Sequence, residues 1–221
     1  MNLFDIVGPT MVGPSSSHTA GAVRIGNVCR KLLGEPVKYA DIYFHGSFWA
    51  TGKGHGTDKA IVAGLLGMAV DDENIPHSFE IAQQKGLEFS FSEIDLGEVH
   101  PNTVKLILKG VNGKELEVVA ASVGGGRINV SEIDGQVADF SGEYPTLIIY
   151  NQDKPGLVAK VSDMLQNRSI NIATMQLHRS GRGGNAVMVI ETDQEVWPVA
   201  LESLRAMDGV DKVTYYSLND M

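Results

Sequence analysis

The chain has 221 residues, of which 43% are hydrophobic and 20% charged, and a net charge of −9. That composition fits a globular protein with one large or two small domains, and its acidity argues against nucleic acid, whose backbone recruits basic surfaces. Cys29 is the only cysteine, which excludes an internal disulfide and a zinc–thiolate or iron–sulfur site built from this chain alone.

The N-terminus shows no basic start before an apolar core, and the longest apolar run, counting glycine, is Ile61–Val70. That run is too short to span a bilayer, so no membrane partner and a cytoplasmic location are expected.

In chain order, the first chemically dense stretch is Gly13-Pro14-Ser15-Ser16-Ser17-His18-Thr19-Ala20-Gly21. Ala22, Ile25, Cys29 and Leu32 then recur at helical spacing, and Gly34 reads as the stop. Pro14 keeps the hydroxyls at the helix start, where Ser and Thr cap orphan N–H groups and the dipole favours an anion. Two readings stand: one serine caps and the rest are loop, or the group binds an anionic substrate.

Lys38–His45 alternates as a strand, and Lys59–Met68 reads as a helix capped by Thr57 or Asp58. Between them, residues 45–58 read as a glycine-rich loop. It is no Walker-type phosphate loop: five residues separate Gly46 from Gly52, and Gly54 follows Lys53 where a hydroxyl is needed. His45, His55 and Asp58 match no common metal spacing. What remains is a donor-rich loop of the kind that binds small molecules in α/β layers.

Asn74–Lys85 reads as a short helix, and Leu87–Ile94 as a strand with Leu87, Phe89 and Phe91 inward. Hairpins follow over Val104–Val123 and Ile128–Phe140, with Gly124–Gly126 as a bend rather than a nucleotide cradle. Ser141-Gly142-Glu143 is the linker, giving domains 1–142 and 143–221. The second domain reads strand (Thr146–Tyr150), helix (Leu157–Asn167), two strands (Ile170–Leu177 and Ala186–Thr192), helix (Trp197–Met207) and strand (Val210–Tyr216). That is βαββαβ, an antiparallel sheet with two helices on one face, and Trp197, Leu201 and Leu204 are aligned along the second helix. The fold class is α+β.

Thr146-Leu-Ile-Ile-Tyr-Asn151, Asp153-Lys-Pro-Gly-Leu157 and Ile170-Asn-Ile172 resemble the ACT domain, a ferredoxin-like amino-acid-sensing module. The resemblance implies an effector site at Asn151, Asp153, Gly156, Leu157, Asn171 and Ile172, and self-association through this domain. Gly13–Gly21, Thr51-Gly-Lys-Gly-His-Gly-Thr-Asp58 and Ser122-Val-Gly-Gly-Gly126 resemble the β subunit of bacterial iron–sulfur L-serine dehydratases (L-serine ammonia-lyases). The first domain also resembles the allosteric substrate-binding domain of some phosphoglycerate dehydrogenases.

The lyase resemblance implies conversion of L-serine to pyruvate and ammonia, with a [4Fe–4S] cluster acting as Lewis acid. Its cysteines would lie on an α subunit, the expected partner, and this chain would hold no metal. His18 and His55 are then the catalytic candidates, and Ser15, Ser16, Ser17, Thr19, Lys53 and Thr57 the substrate-binding ones. The alternative is a non-catalytic regulatory subunit that senses serine or another effector.

Overall fold

The computed structural model describes residues 10–217 and 219. Contacts divide the chain into two compact units, Met1–Gly135 and Gln136–Met221.

The first unit opens with a π-helical turn, Ser16–Gly21, that runs directly into α1 (Ala22–Leu33). Gly34 ends the helix in the left-handed region (φ 70°), and its N–H closes on the Arg30 carbonyl. β1 (Val37–Phe44) follows, then α2 (Ser47–His55), α3 (Thr57–Leu65), a 3₁₀ turn at Ile75–His77 and α4 (Ser78–Lys85). β2 (Glu88–Glu93) pairs parallel with β1, as expected for a crossover through helices. β3 (Thr103–Gly110), β4 (Glu115–Gly124) and β5 (Arg127–Ile133) continue antiparallel, giving the order β2-β1-β3-β4-β5. α1 packs against β3, β4 and β5 and crosses α3 closely. The crossing is possible because two glycines face each other: a Cβ on Gly26 would lie 2.5 Å from the Ile61 carbonyl oxygen, and one on Gly64 2.2 Å from that of Val23.

Residues 47–55, expected as loop, form α2. Two interior glycines cost a helix about 2 kcal/mol in propensity. Phe48, 0% exposed, returns roughly that amount by burying its ring. Gly46 makes the strand-to-helix corner at φ 54° and ψ −121°, a conformation for glycine alone. There the Ser47 N–H donates to the Pro101 carbonyl at 2.7 Å. α3 accordingly begins at Thr57 rather than Lys59, with Gly56 before it and no side-chain cap from Thr57 or Asp58.

The second unit holds β6 (Gln136–Phe140), β7 (Thr146–Gln152), α5 (Leu157–Gln166), β8 (Ile172–Arg179), β9 (Asn185–Thr192), α6 (Pro198–Arg205) and β10 (Val210–Tyr216). The antiparallel sheet order β10-β7-β9-β8 with two helices is the βαββαβ arrangement read from the sequence. Its core joins Leu147, Ile149, Val161, Leu165, Met188, Ile190 and Leu204. Trp197 departs from the expected alignment with Leu201 and Leu204. It is the residue before α6, in extended conformation, and is 69% exposed.

The contact division falls before the Ser141–Glu143 linker read from composition. Residues 139–141 are tied into the second unit. Gln176 Nε2 donates to the Asp139 carbonyl at 3.2 Å, and the Ser141 N–H and hydroxyl both donate to Glu191 Oε1.

Candidate functional site

Because residues 47–55 are helical, Ser47, Thr51 and His55 stand four apart on one face of α2. The π-helical turn sets His18 against that face. His18 Nε2 lies 3.2 Å from Ser47 Oγ and 3.0 Å from Thr51 Oγ1. The imidazoles of His18 and His55 are 4.8 Å apart between centroids, and the Phe48 ring meets His18 edge-on at 5.3 Å.

Hydrogen-bond logic assigns the protons. The Thr51 hydroxyl donates to the Ser47 carbonyl at 2.9 Å, which leaves its oxygen to accept; His18 Nε2–H is the donor and the lone pair of the neutral ring sits on Nδ1. His55 Nδ1 is 3.0 Å from the Thr51 carbonyl oxygen. A carbonyl only accepts, so Nδ1 carries a proton, and in the neutral ring the lone pair is on Nε2. Burial, and then the neighbouring His55, lowers the pKa of His18 below its ordinary 6.5, so the ring is neutral at pH 7. In its neutral form each imidazole thus presents one proton-accepting nitrogen.

The serines before His18 shape the turn. Ser15 Oγ accepts the His18 N–H at 3.1 Å as the N-cap, and its carbonyl accepts from Thr19 and, five residues on, from Ala20. Ser16 and Ser17 occupy the first turn, whose N–H groups have no partner within a helix. The Thr19 hydroxyl donates to the His55 carbonyl at 3.2 Å, locking turn and helix together. Gly21, at the end of the turn, packs on Ser122 of β4, where a Cβ would lie 2.1 Å from Ser122 Oγ.

Lys53 and Thr57 are not drawn into this cluster by any hydrogen bond among the described residues. Thr57 is fully buried with its hydroxyl unpartnered, against Gly52. Lys53 borders a separate groove of about 400 Å³ with Asp58 and aromatic side chains.

In the second unit, the residues expected to hold an effector are partly occupied. The Asp153 carboxylate accepts from the Gly183 N–H at 2.9 Å and Arg179 Nη1 at 3.0 Å. Those two partners hold its pKa below the usual carboxylate value. Asn171 Nδ2 donates to Asp193 Oδ2 at 2.6 Å. Leu157 is in the core, Gly156 precedes α5 at φ 92°, and Ile172 opens β8. Asn151 is 3% exposed; its Nδ2 donates to the Gln152 carbonyl, and its Oδ1 is unpartnered.

The family model described as "Serine dehydratase beta chain" matches residues 1–86. A probable L-serine dehydratase β chain of Bacillus subtilis (strain 168) is 42% identical, over 96% of this chain and 96% of its own. The chain belongs to the serine dehydratase β-chain family. An L-serine dehydratase β chain of Peptoniphilus asaccharolyticus is 38% identical over 96% of this chain and 94% of its own. Within this family member the ACT-domain model matches residues 146–209, so the second unit carries an ACT domain. A D-3-phosphoglycerate dehydrogenase of Archaeoglobus fulgidus is 26% identical over 89% of this chain and 37% of its own. No helix among the described residues is long and apolar enough to cross a membrane.

Ser47 and Thr51 are the site residues that sequence reasoning missed. Their signal is the 47/51/55 spacing, which marks one face only in a helix, whereas Gly52 and Gly54 make the segment read as loop.

Proposed function

We propose that this chain is the β subunit of a two-subunit L-serine dehydratase, and that the His18 cluster completes an active site shared with a partner subunit to convert L-serine to pyruvate and ammonia. The observation that carries the reading is similarity over nearly the whole chain, at 42% and 38% identity, to a probable L-serine dehydratase β chain and an L-serine dehydratase β chain.

The hydroxyls and free N–H groups of Ser16 and Ser17 suit the substrate carboxylate. His18, kept neutral and held by Ser47 and Thr51, offers Nδ1 as a fixed acceptor for a substrate proton. His55, tied through Nδ1 to α2, offers Nε2. Thr19 fixes the distance between the two histidines.

An iron–sulfur cluster does not fit this chain. Among the described residues no three His, Cys, Asp or Glu side chains converge as a metal site, and Cys29 is fully buried, its thiol pushed up by burial. The [4Fe–4S] cluster is therefore proposed for a cysteine-bearing α subunit. A longer relative supports the arrangement: 66% of this chain aligns with 37% of the L-serine dehydratase 1 of Escherichia coli (strain K12). The ACT domain is proposed to sense an amino-acid effector, with the unpartnered Asn151 Oδ1 as acceptor for its ammonium group, and to mediate self-association.

Anaerobic co-expression with the cysteine-bearing chain, followed by a serine-to-pyruvate assay, tests the proposal. Turnover is expected for the pair and not for this chain alone. His18→Ala and His55→Ala are each expected to lower kcat/KM by about a hundredfold or more, the scale of a lost acid–base group. Full turnover in both variants overturns the shared site. A second reading, a sensor subunit without catalytic residues, is favoured by the match to phosphoglycerate dehydrogenases along 89% of this chain. It predicts that the same variants change effector response and leave turnover intact.

A further inference from the structure

One face of α2 carries Ser47, Thr51 and His55; the neighbouring face opens onto the groove of about 400 Å³ lined by Phe44, Phe48, Trp49, Lys53, Asp58 and Phe91. This volume lies within the range of small-molecule sites, and the lining follows their usual pattern of apolar walls with few polar groups. The floor is aromatic. Phe44 and Phe48 are buried and meet edge to face at 5.9 Å, and Phe91 stacks on Phe44 at 5.7 Å. Trp49 is 38% exposed, a large apolar surface left open to solvent.

Two opposite charges stand at the same groove. Among the described residues neither Lys53 nor Asp58 forms an ion pair, and Asp58 makes one hydrogen bond, accepting the Lys59 N–H at Oδ1. An unpaired ammonium and an unpaired carboxylate beside an aromatic floor are complementary to a zwitterion with an apolar body.

We infer that this groove is a second small-molecule site, taking an α-amino acid with an apolar side chain: its carboxylate toward Lys53, its ammonium toward Asp58, its side chain on Phe44, Phe48, Phe91 and Trp49. Serine is a poor occupant, because its hydroxyl would lose water against apolar walls. The site is separate from the His18 cluster and its existence does not rest on the catalytic reading. Its floor and the cluster share Phe48, whose ring touches His18, so an occupant bears on the helix that positions Ser47, Thr51 and His55.

Trp49 is the probe. The other tryptophan, Trp197, is in the second unit and 69% exposed, so Trp197→Phe leaves one reporter without disturbing a core. Titration of that variant with L-leucine is expected to give a saturable change in fluorescence. N-acetyl-L-leucine lacks the ammonium and L-leucinamide lacks the carboxylate; each is expected to bind about tenfold or more weakly, the scale of one lost charged hydrogen bond. L-serine is expected to be similarly weak. Lys53→Met and Asp58→Asn, both away from the packed core, should each weaken leucine binding about tenfold or more while far-UV circular dichroism stays unchanged. The inference is overturned if leucine gives no saturable signal up to about 20 mM, which a site of even millimolar affinity would show. It is also overturned if serine binds as well as leucine, or if Lys53→Met binds leucine like the parent.

Discussion

The crossing of α1 and α3 supports a quantitative prediction. In Gly64→Ala the new methyl group would lie 2.2 Å from the Val23 carbonyl oxygen and 2.9 Å from both the Asn27 nitrogen and the Gly26 Cα. Real contacts need roughly 3.4 Å or more, so the helices must part locally by about 1 Å. The obstructing atoms are helix backbone, and no side chain can rotate away. Overpacking of this kind costs about 3 kcal/mol, and replacing a helical glycine with alanine returns about 1 kcal/mol. The net destabilisation is about 2 kcal/mol, or a fall in Tm of about 6 °C. Gly54→Ala is the control. It also replaces a helical glycine, but a Cβ there meets nothing within 4 Å, so it should raise stability by about 0.5–1 kcal/mol. Thermal unfolding of both variants, monitored by circular dichroism, separates the two effects. If Gly64→Ala melts at or above the parent, the close crossing is refuted. The same parting would carry the π-helical turn away from α2, so the variant should also lose turnover in the serine assay at temperatures where it is folded.

Other expectations are smaller in scope. His18 resists protonation in the folded chain, so between its lowered pKa and the ordinary 6.5 the unfolded chain binds more protons. Its contribution to stability is complete above about pH 6.5 and is lost as pH falls below it. Denaturant midpoints at pH 7.5 and 5.5 should differ less in His18→Gln than in the parent, and equal differences would refute this. Thr51→Val keeps the shape of the side chain and removes the hydroxyl that holds His18, so kcat/KM in the proposed two-subunit serine assay should fall about tenfold. Asp153→Ala frees Arg179 and the Gly183 N–H; limited trypsin digestion should then cut after Arg179 or Arg182 faster than in the parent. Glu191→Leu leaves the Ser141 N–H and hydroxyl and the Thr174 hydroxyl without their acceptor and should cost about 2 kcal/mol. Glu191→Gln keeps one carbonyl oxygen for Ser141 and should cost less than half as much by chemical denaturation.

The parts of the fold legible in the sequence were those written in a local period. The end of α1 at Gly34, the strands of the first sheet and the whole βαββαβ unit followed from spacing and turn residues. α2 was illegible because its reasons are tertiary. Its glycines argue against a helix, and only the burial of Phe48 and the corner at Gly46 decide for one. Once that helix was missed, Ser47 and Thr51 could not be seen as partners of His18, although His18 and His55 were recognisable from their chemistry. Trp197 was misread for a different reason. Pro198 starts α6 one residue later than the apolar period suggested, which turns the indole outward. The charges of Lys53 and Asp58 were visible, but not the aromatic groove between elements distant in sequence.

The π-helical turn has a consequence for how this geometry is inherited. A π-turn holds one residue more than an α-turn over nearly the same rise, so the segment before Ala22 contains a surplus residue. Deleting Ala20 would let the helix close in ordinary register and would cost it no turn. Closing the intact segment in ordinary register instead would swing everything upstream by about 100°, carrying His18 off Ser47 and Thr51. The placement of His18 is thus stored partly in the hydrogen-bond register of one turn, a quantity separate from the side chains named in the cluster.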